Sequence, residues 1–251
     1  MQRKKTLRRH DAARRRRVEP RVRLDPGRLA RFRRALLAWY RRHGRDLPWR
    51  RTRDPYAILV SEMMLQQTPV RRVLDYYPRF LARYPTVEEL ARAPAGAVRE
   101  AWNGLGYYRR AESLHRTARI VAERHAGRFP ADPEALEELP GIGRYTAGAV
   151  AAFAFEVDAA ILDTNAARVL ARVFGAGRRR GRARRLWALA VAAVPAGRAW
   201  AFNQAIMDLG ALVCTARRPA CPRCPVRWSC RTFDRGNARR QRLNLGDSRR
   251  D

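Results

Sequence analysis

All four cysteines of the chain fall in one run, Cys214-x6-Cys221-x2-Cys224-x5-Cys230. Four thiolates this close can ligate one tetrahedral zinc or one 4Fe-4S cube. Zinc sites more often use two Cys-x2-Cys knuckles, and this run has one. Glu62 poses a different question. It sits in Ala57-Ile58-Leu59-Val60-Ser61-Glu62-Met63-Met64-Leu65, one helical turn from Ile58 and beside Leu59 and Met63 on the wheel. Its carboxylate therefore lies on or near a face meant for burial. Leaving it there unpaired is costly, so it is paired, protonated or functional. A raised pKa would suit a general acid near neutral pH; the plainer alternative is a buried partner for one of the many arginines.

Asp163 ends the apolar segment Ala159-Ala160-Ile161-Leu162 and precedes Thr164-Asn165 and a helix. As an Asp before a helix it is a good N-cap. A carboxylate at a helix mouth, with a second one on Glu62, is also the pair that glycosidic cleavage requires: one protonates the leaving group and one faces the developing cation. The third feature is Leu139-Pro140-Gly141-Ile142-Gly143-Arg144-Tyr145-Thr146, a helix stop, a two-glycine turn and a new helix. Gly141 and Gly143 permit torsions closed to other residues and close approach of a partner. Peptide N–H groups at the positive end of a helix over 144–155 would form an anion site, which a DNA phosphate could fill. The plainer alternative is a connector between helices.

The composition bounds the partner. Across 251 residues, 54 Lys+Arg stand against 23 Asp+Glu, a formal net charge of +31. Nearly all the cations are Arg, whose planar fork suits phosphate and stacks on bases. A polyanion is therefore expected, with nucleic acid ahead of membrane because no long amphipathic basic helix stands out. No apolar run approaches the ~20 residues that span a bilayer. The basic N-terminus has no apolar segment after it, so no secretory signal is expected and a reducing cytosol is. There a tight Cys cluster holds metal more readily than disulfides.

The elements that must position these residues all read as helical. Residues 1–24 carry many arginines and little to bury and are expected to be a disordered basic tail; 232–251 are read the same way. Asp25-Pro26 caps a first helix with Leu29, Phe32, Leu36, Trp39 and Tyr40 at helical spacing. A helix follows over 55–67, and Thr68-Pro69 opens another with Val70, Val73, Leu74, Tyr77 and Phe80 on one face. Thr86-Val87-Glu88-Glu89 is a capping box. A short helix ends near Trp102, the loop 103–108 leads into a helix stopped at Gly127, and Asp132-Pro133 caps the helix feeding the glycine turn. Further helices are expected at about 165–174, 184–194 and 200–213. The arginine-rich loop 177–185 between the first two is either a DNA-facing edge or solvated charge. No window shows a period of two, so the fold class is all-α.

Taken together, these residues resemble the helix-hairpin-helix DNA glycosylases that carry an iron–sulfur cluster, and within them the adenine glycosylase branch. The likeness covers about 46–230. It rests on Leu47-Pro48-Trp49-Arg50, Ser61-Glu62-Met63-Met64-Leu65-Gln66-Gln67-Thr68, Gly104-Leu105-Gly106-Tyr107-Tyr108, the hairpin 139–150, Leu162-Asp163-Thr164-Asn165, Phe202-Asn203-Gln204-Ala205-Ile206-Met207-Asp208-Leu209-Gly210 and the cysteine run. The resemblance implies two helical lobes with DNA across the cleft. One is a barrel lobe, 51–155; the other is a cluster lobe, 25–50 with 156–231. It implies a 4Fe-4S cluster on the four cysteines, double-stranded DNA containing a mismatch as partner, no membrane, and a monomer in the cytosol at the nucleoid.

By the same resemblance Glu62 is the acid that protonates adenine N7, and Asp163 stabilises the oxocarbenium sugar. Gln66, Gln67 and Tyr107 enter the duplex and fill the gap; their plainer reading is helix-end polar surface and loop packing. The hairpin residues Gly141, Gly143 and Arg144 hold the backbone. Tyr145 stands where related glycosylase–lyases carry a Schiff-base lysine, which implies a monofunctional enzyme that leaves an abasic site. Adenine glycosylases of this family continue into a Nudix-like domain that reads 8-oxoguanine, whereas about twenty polar residues follow Cys230, so a short form is expected. Two alternatives stand beside the adenine reading. One is a mismatch glycosylase acting on thymine or uracil opposite guanine, since short cluster-bearing relatives of that kind share the tyrosine and the glutamate. The other is a cluster-bearing DNA-binding protein without catalysis.

Overall fold

The computed structural model describes residues 22–176 and 181–234; most of both expected tails, and residues 177–180 of the arginine-rich loop, lie outside them. Among the described residues there are helices and turns and no strand. Helix α1, Pro26–His43, begins as its sequence dictates: Asp25 Oδ1 accepts the Arg28 N–H at 2.6 Å, and Arg41, Arg42 and His43 face the negative C-terminal end. A 3-10 turn, Pro48–Arg50, leads to α2, Pro55–Leu65, capped by the Asp54 carboxylate. Every side chain of α2 from Tyr56 to Met64 is buried, so it is a central helix with no solvent face. Helix α3, Val70–Arg83, turns only Val73, Tyr77 and Phe80 fully inward. In α4, Val87–Arg92, both bonds of the Thr86–Glu89 capping box form.

Helices α5, Ala95–Ala101, α6, Arg109–His125, and α7, Pro133–Glu137, complete the shell around α2 and feed α8, Arg144–Ala154. The chain then crosses to α9, Thr164–Leu170, a π-turn over Ala171–Gly175, α10, Arg182–Ala193, and α11, Ala199–Leu212. Two short 3-10 turns, Cys221–Arg223 and Arg227–Ser229, shape the cysteine segment. Two expected helices are shorter than read. The 55–67 helix stops at Leu65 because Gln66 is extended and Gln67 takes φ +57°. The 165–174 helix widens into the π-turn after Leu170.

Buried apolar side chains form two clusters. The first holds Leu47, Trp49, most of α2 and the inner faces of α3 to α8; the second joins Phe32 and Leu36 of α1 to α9, α10 and α11. The segment 159–163 runs along the seam: Ile161 belongs to the first cluster, while Ala160 and Leu162 pack on the second. Two glycines let helices close onto it. A Cβ at Gly148 of α8 would lie 2.8 Å from the Ala160 carbonyl oxygen, and one at Gly210 of α11 would lie 2.6 Å from Asn165 Cβ. The seam is thus closed from both sides around Asp163.

Candidate active site

Glu62 is 4% exposed, inside the first cluster, and its Oε2 has no hydrogen-bond partner. Burial pushes its carboxyl up to about 7 from an ordinary 4.5. A hydrogen bond from the Tyr145 hydroxyl pulls it down, the Asp163 charge pushes it up, and Arg50 pulls it down again. These four side chains come from α2, the first turn of α8, the seam and the 3-10 turn before α2. The sequence leaves open whether Glu62 and Asp163 meet; the structure brings them into one electrostatic environment. Tyr145 is raised well above an ordinary phenol, by burial first and then by the Glu62 and Asp163 charges, so it stays neutral. Its hydroxyl lies 3.7 Å from Met207 Sδ on α11, which places it across the seam.

Asp163 does the plainer job as well as facing the site. Its Oδ1 accepts the Ala166 N–H at 2.6 Å as the N-cap of α9, and Oδ2 accepts Asn165 Nδ2 at 2.9 Å. Both oxygens are held by donors, and the side chain remains partly exposed at the seam. Glu62 has no such donors on Oε2. The pair therefore divides into a buried acid that can carry a proton near neutral pH and a carboxylate fixed by its cap.

A third carboxylate, Asp208, is absent from the expected site. It is wholly buried on α11 and holds two arginines. Arg50 donates through Nη1 and Nη2 at 2.8 and 2.9 Å, and Arg45 through its backbone N–H and Nε at 2.8 Å each. Burial alone would raise this carboxyl, but the Arg50 and Arg45 bonds and charges outweigh it and hold it below its ordinary value. The signal was the one that singled out Glu62: Asp208 is the lone charge in Ala205-Ile206-Met207-Asp208-Leu209.

The remaining expected residues divide into those with solvent access and those already engaged. Gln67 and Tyr107 are exposed, and both are non-glycine residues in the left-handed region, at φ +57° and +46°. Gln66 is half-buried, its Nε2 3.4 Å from Met63 Sδ. In the hairpin Gly141 takes φ +74°, and a Cβ there would strike Ser113. Gly143 is different: at φ −95° its torsion is open to any residue, and a Cβ would meet nothing within 4 Å. The torsional argument holds for Gly141 and fails for Gly143, which instead leaves open space over the N-terminus of α8. Arg144 is not simply free for a phosphate, because its guanidinium stacks on Trp187 of α10 at 3.7 Å.

The four thiols line one cavity of about 430 Å³ together with Val173, Leu209 and Val226. No three His, Cys, Asp or Glu side chains among the described residues are gathered closely enough to hold a single metal ion. Burial pushes the Cys224 thiol up to about 11 and raises Cys230 as well, so a cationic group is needed to draw out the thiolates. Arg172 Nη1 lies 3.3 Å from Cys214 Sγ. A cavity walled by four soft donors and apolar side chains fits a multi-atom thiolate-bound group.

Comparison with known proteins bears on this geometry. Residues 60–193 match the family described as HhH-GPD superfamily base excision DNA repair protein. Adenine DNA glycosylase of Rattus norvegicus is 46% identical over 216 residues, covering 81% of this chain and 42% of the rat protein. The chain thus spans less than half the length of that relative. Adenine DNA glycosylase of Mycolicibacterium smegmatis is 44% identical over 220 residues, covering 85% of this chain and 75% of that one. Among solved structures, a thermostable thymine-DNA glycosylase superposes with a TM-score of 0.78 at 34% identity, covering 83% of this chain and 98% of that chain. The two-cluster helical fold, the seam site and these matches agree: the chain belongs to the HhH-GPD superfamily of base excision DNA repair proteins.

Proposed function

We propose that this protein is a monofunctional DNA glycosylase that extrudes adenine mispaired with 8-oxoguanine or guanine and hydrolyses its N-glycosidic bond. The observation that carries the reading is Glu62: a buried carboxyl with an unpartnered oxygen, titrating near 7 beside Tyr145 and Asp163. Near neutral pH a substantial share of Glu62 is protonated and can give its proton to N7 of the extruded purine. The N9–C1′ bond then breaks with its electron pair going to the base. Asp163, held in place by Ala166 and Asn165, faces the cationic sugar, and water adds to C1′ with loss of a proton. Tyr145 orients Glu62 and offers no amine, so no Schiff base forms and the strand stays uncut. Neither carboxyl could reach a stacked base, which is why extrusion comes first.

Gln66, Gln67 and Tyr107 are assigned to the gap left by the extruded base, and the open space over Gly143 to a backbone phosphate. Cys214, Cys221, Cys224 and Cys230 would hold a 4Fe-4S cluster, which would tie the segment 214–230 into one loop packed against Val169 of α9 and Leu209 of α11. Iron and sulfide analysis with the visible absorption of the purified protein tests this; colourless, zinc-loaded protein would reject it. The full activity is expected of a monomer on mismatched duplex DNA.

A second reading has its own support. The thymine-DNA glycosylase matched above is covered over 98% of its length, so its whole chain corresponds to this one. One labelled set of duplexes separates the two: A opposite 8-oxoguanine, A·G, T·G and U·G, each incubated and then treated with alkali. Breakage at adenine supports the proposal, and breakage at thymine alone overturns it.

A further inference from the structure

Arg110, on the second residue of α6, is 7% exposed, and no carboxylate among the described residues pairs with it. Its charge is met by oxygens from two separate segments. Nη1 lies 2.9 Å from the Met63 carbonyl, 2.8 Å from Met64, 2.5 Å from Gln66 and 3.1 Å from the Thr68 hydroxyl. Nη2 lies 3.2 and 2.9 Å from the Leu105 and Gly106 carbonyls, and Nε 3.3 Å from that of Tyr107. The first set is the orphaned C-terminal end of α2, where a cation is favoured. The second is the loop that presents Tyr107. The Trp102 and Tyr107 rings flank the guanidinium, with centroids 5.5 and 5.4 Å away.

We infer that Arg110 is a positioning residue that ties 63–68 and 103–108 into a single wedge, so that Gln66, Gln67 and Tyr107 enter the duplex together. The inference rests on the role proposed above for those three side chains. Gln67 and Tyr107 both hold left-handed backbone, a conformation that persists only where the surroundings impose it. Beside each of them the backbone accepts from the same guanidinium. A lysine could not replace it: one ammonium cannot reach both sets of carbonyls, whereas the arginine fork spans them. Ordinary capping of α2 would explain Nη1 and leave Nη2 and Nε without a purpose.

The test measures single-turnover excision by the full chain on two substrates, adenine opposite 8-oxoguanine and adenine in a single-base bulge that has no partner to leave. Extrusion is followed separately by the fluorescence of 2-aminopurine placed beside the target. Arg110→Met is expected to lose about 100-fold on the paired duplex and less than about tenfold on the bulge, the scale on which a slightly misplaced positioning group costs rate. The fluorescence rise should fall in step. Arg110→Lys, which keeps the charge, should show the same imbalance with a smaller loss, and it decides the matter alone if the methionine variant does not fold. Equal loss on both substrates, or a loss with the fluorescence rise intact, overturns the tie. Wild-type protein that excises adenine from neither substrate overturns the adenine reading proposed above, and the tie with it.

Discussion

Glu62 and Asp208 sit on helices that line the two different apolar clusters, both under the charge of Arg50, and both are almost fully buried. They end on opposite sides of the ordinary carboxylate range. Asp208 accepts four hydrogen bonds from Arg45 and Arg50 and stays ionised, while Glu62 keeps an oxygen with no donor and drifts up to about 7. Burial is therefore shared, and the supply of donors decides the charge state. One region uses a carboxylate to fasten the segment before α2 to α11; the other leaves one oxygen without a donor and so keeps a transferable proton.

The largest effect should come from breaking the unpartnered side. Glu62→Gln, isosteric but unable to give up a proton, is expected to lower single-turnover excision by up to about 10⁴-fold, with duplex binding retained. Breaking the fastened side should act on folding instead. Asp208→Asn strands Arg45 and Arg50 beside an uncharged amide and is expected to cost about 3–5 kcal/mol in denaturant unfolding. A loss of excision with unchanged stability would contradict that division.

The two carboxyls should also give opposite pH slopes to stability. Glu62 has a folded-state value of about 7 against an ordinary 4.5, so the folded protein holds this proton more tightly than the unfolded chain. Its contribution is fully present below pH 4.5 and is lost as pH rises through 7. Glu62→Gln removes that loss, so the variant should be more stable than wild type at pH 8 by up to about 3 kcal/mol, with the gap closing at acid pH. Asp208, held down, contributes above its unfolded value and loses that contribution as pH falls through the folded one. The smallest effect sharpens the contrast. Tyr145→Phe removes a hydrogen bond that lowers Glu62, so the alkaline limb of the excision profile should move up by roughly half to one unit. A shift downward would mean that Tyr145 is not donating to Glu62.

Much of this was legible in the chain because local signals agreed with the fold. The Asp25 and Asp132 caps, the Thr86–Glu89 box and the proline starts sit where the helices begin. Glu62 could be flagged from its neighbours alone, since a charge inside an apolar helix demands an account. What remained hidden depends on long-range packing. Nothing within ten residues of Asp208 reveals that Arg45 and Arg50, 163 and 158 positions earlier, close on it. Arg110 gives no signal in the sequence, because its seven acceptors are mostly backbone carbonyls, which carry no side-chain signature. A two-glycine turn suggests torsional need at both positions, and only Gly141 has it.

The central claim is tested most directly by titrating the Glu62 carboxyl itself. The protonated carboxylic acid stretch in the infrared difference between wild type and Glu62→Gln, followed across pH, should vanish with a midpoint near 7. A midpoint near the ordinary 4.5 would mean that Glu62 is ionised at neutral pH and cannot be the acid.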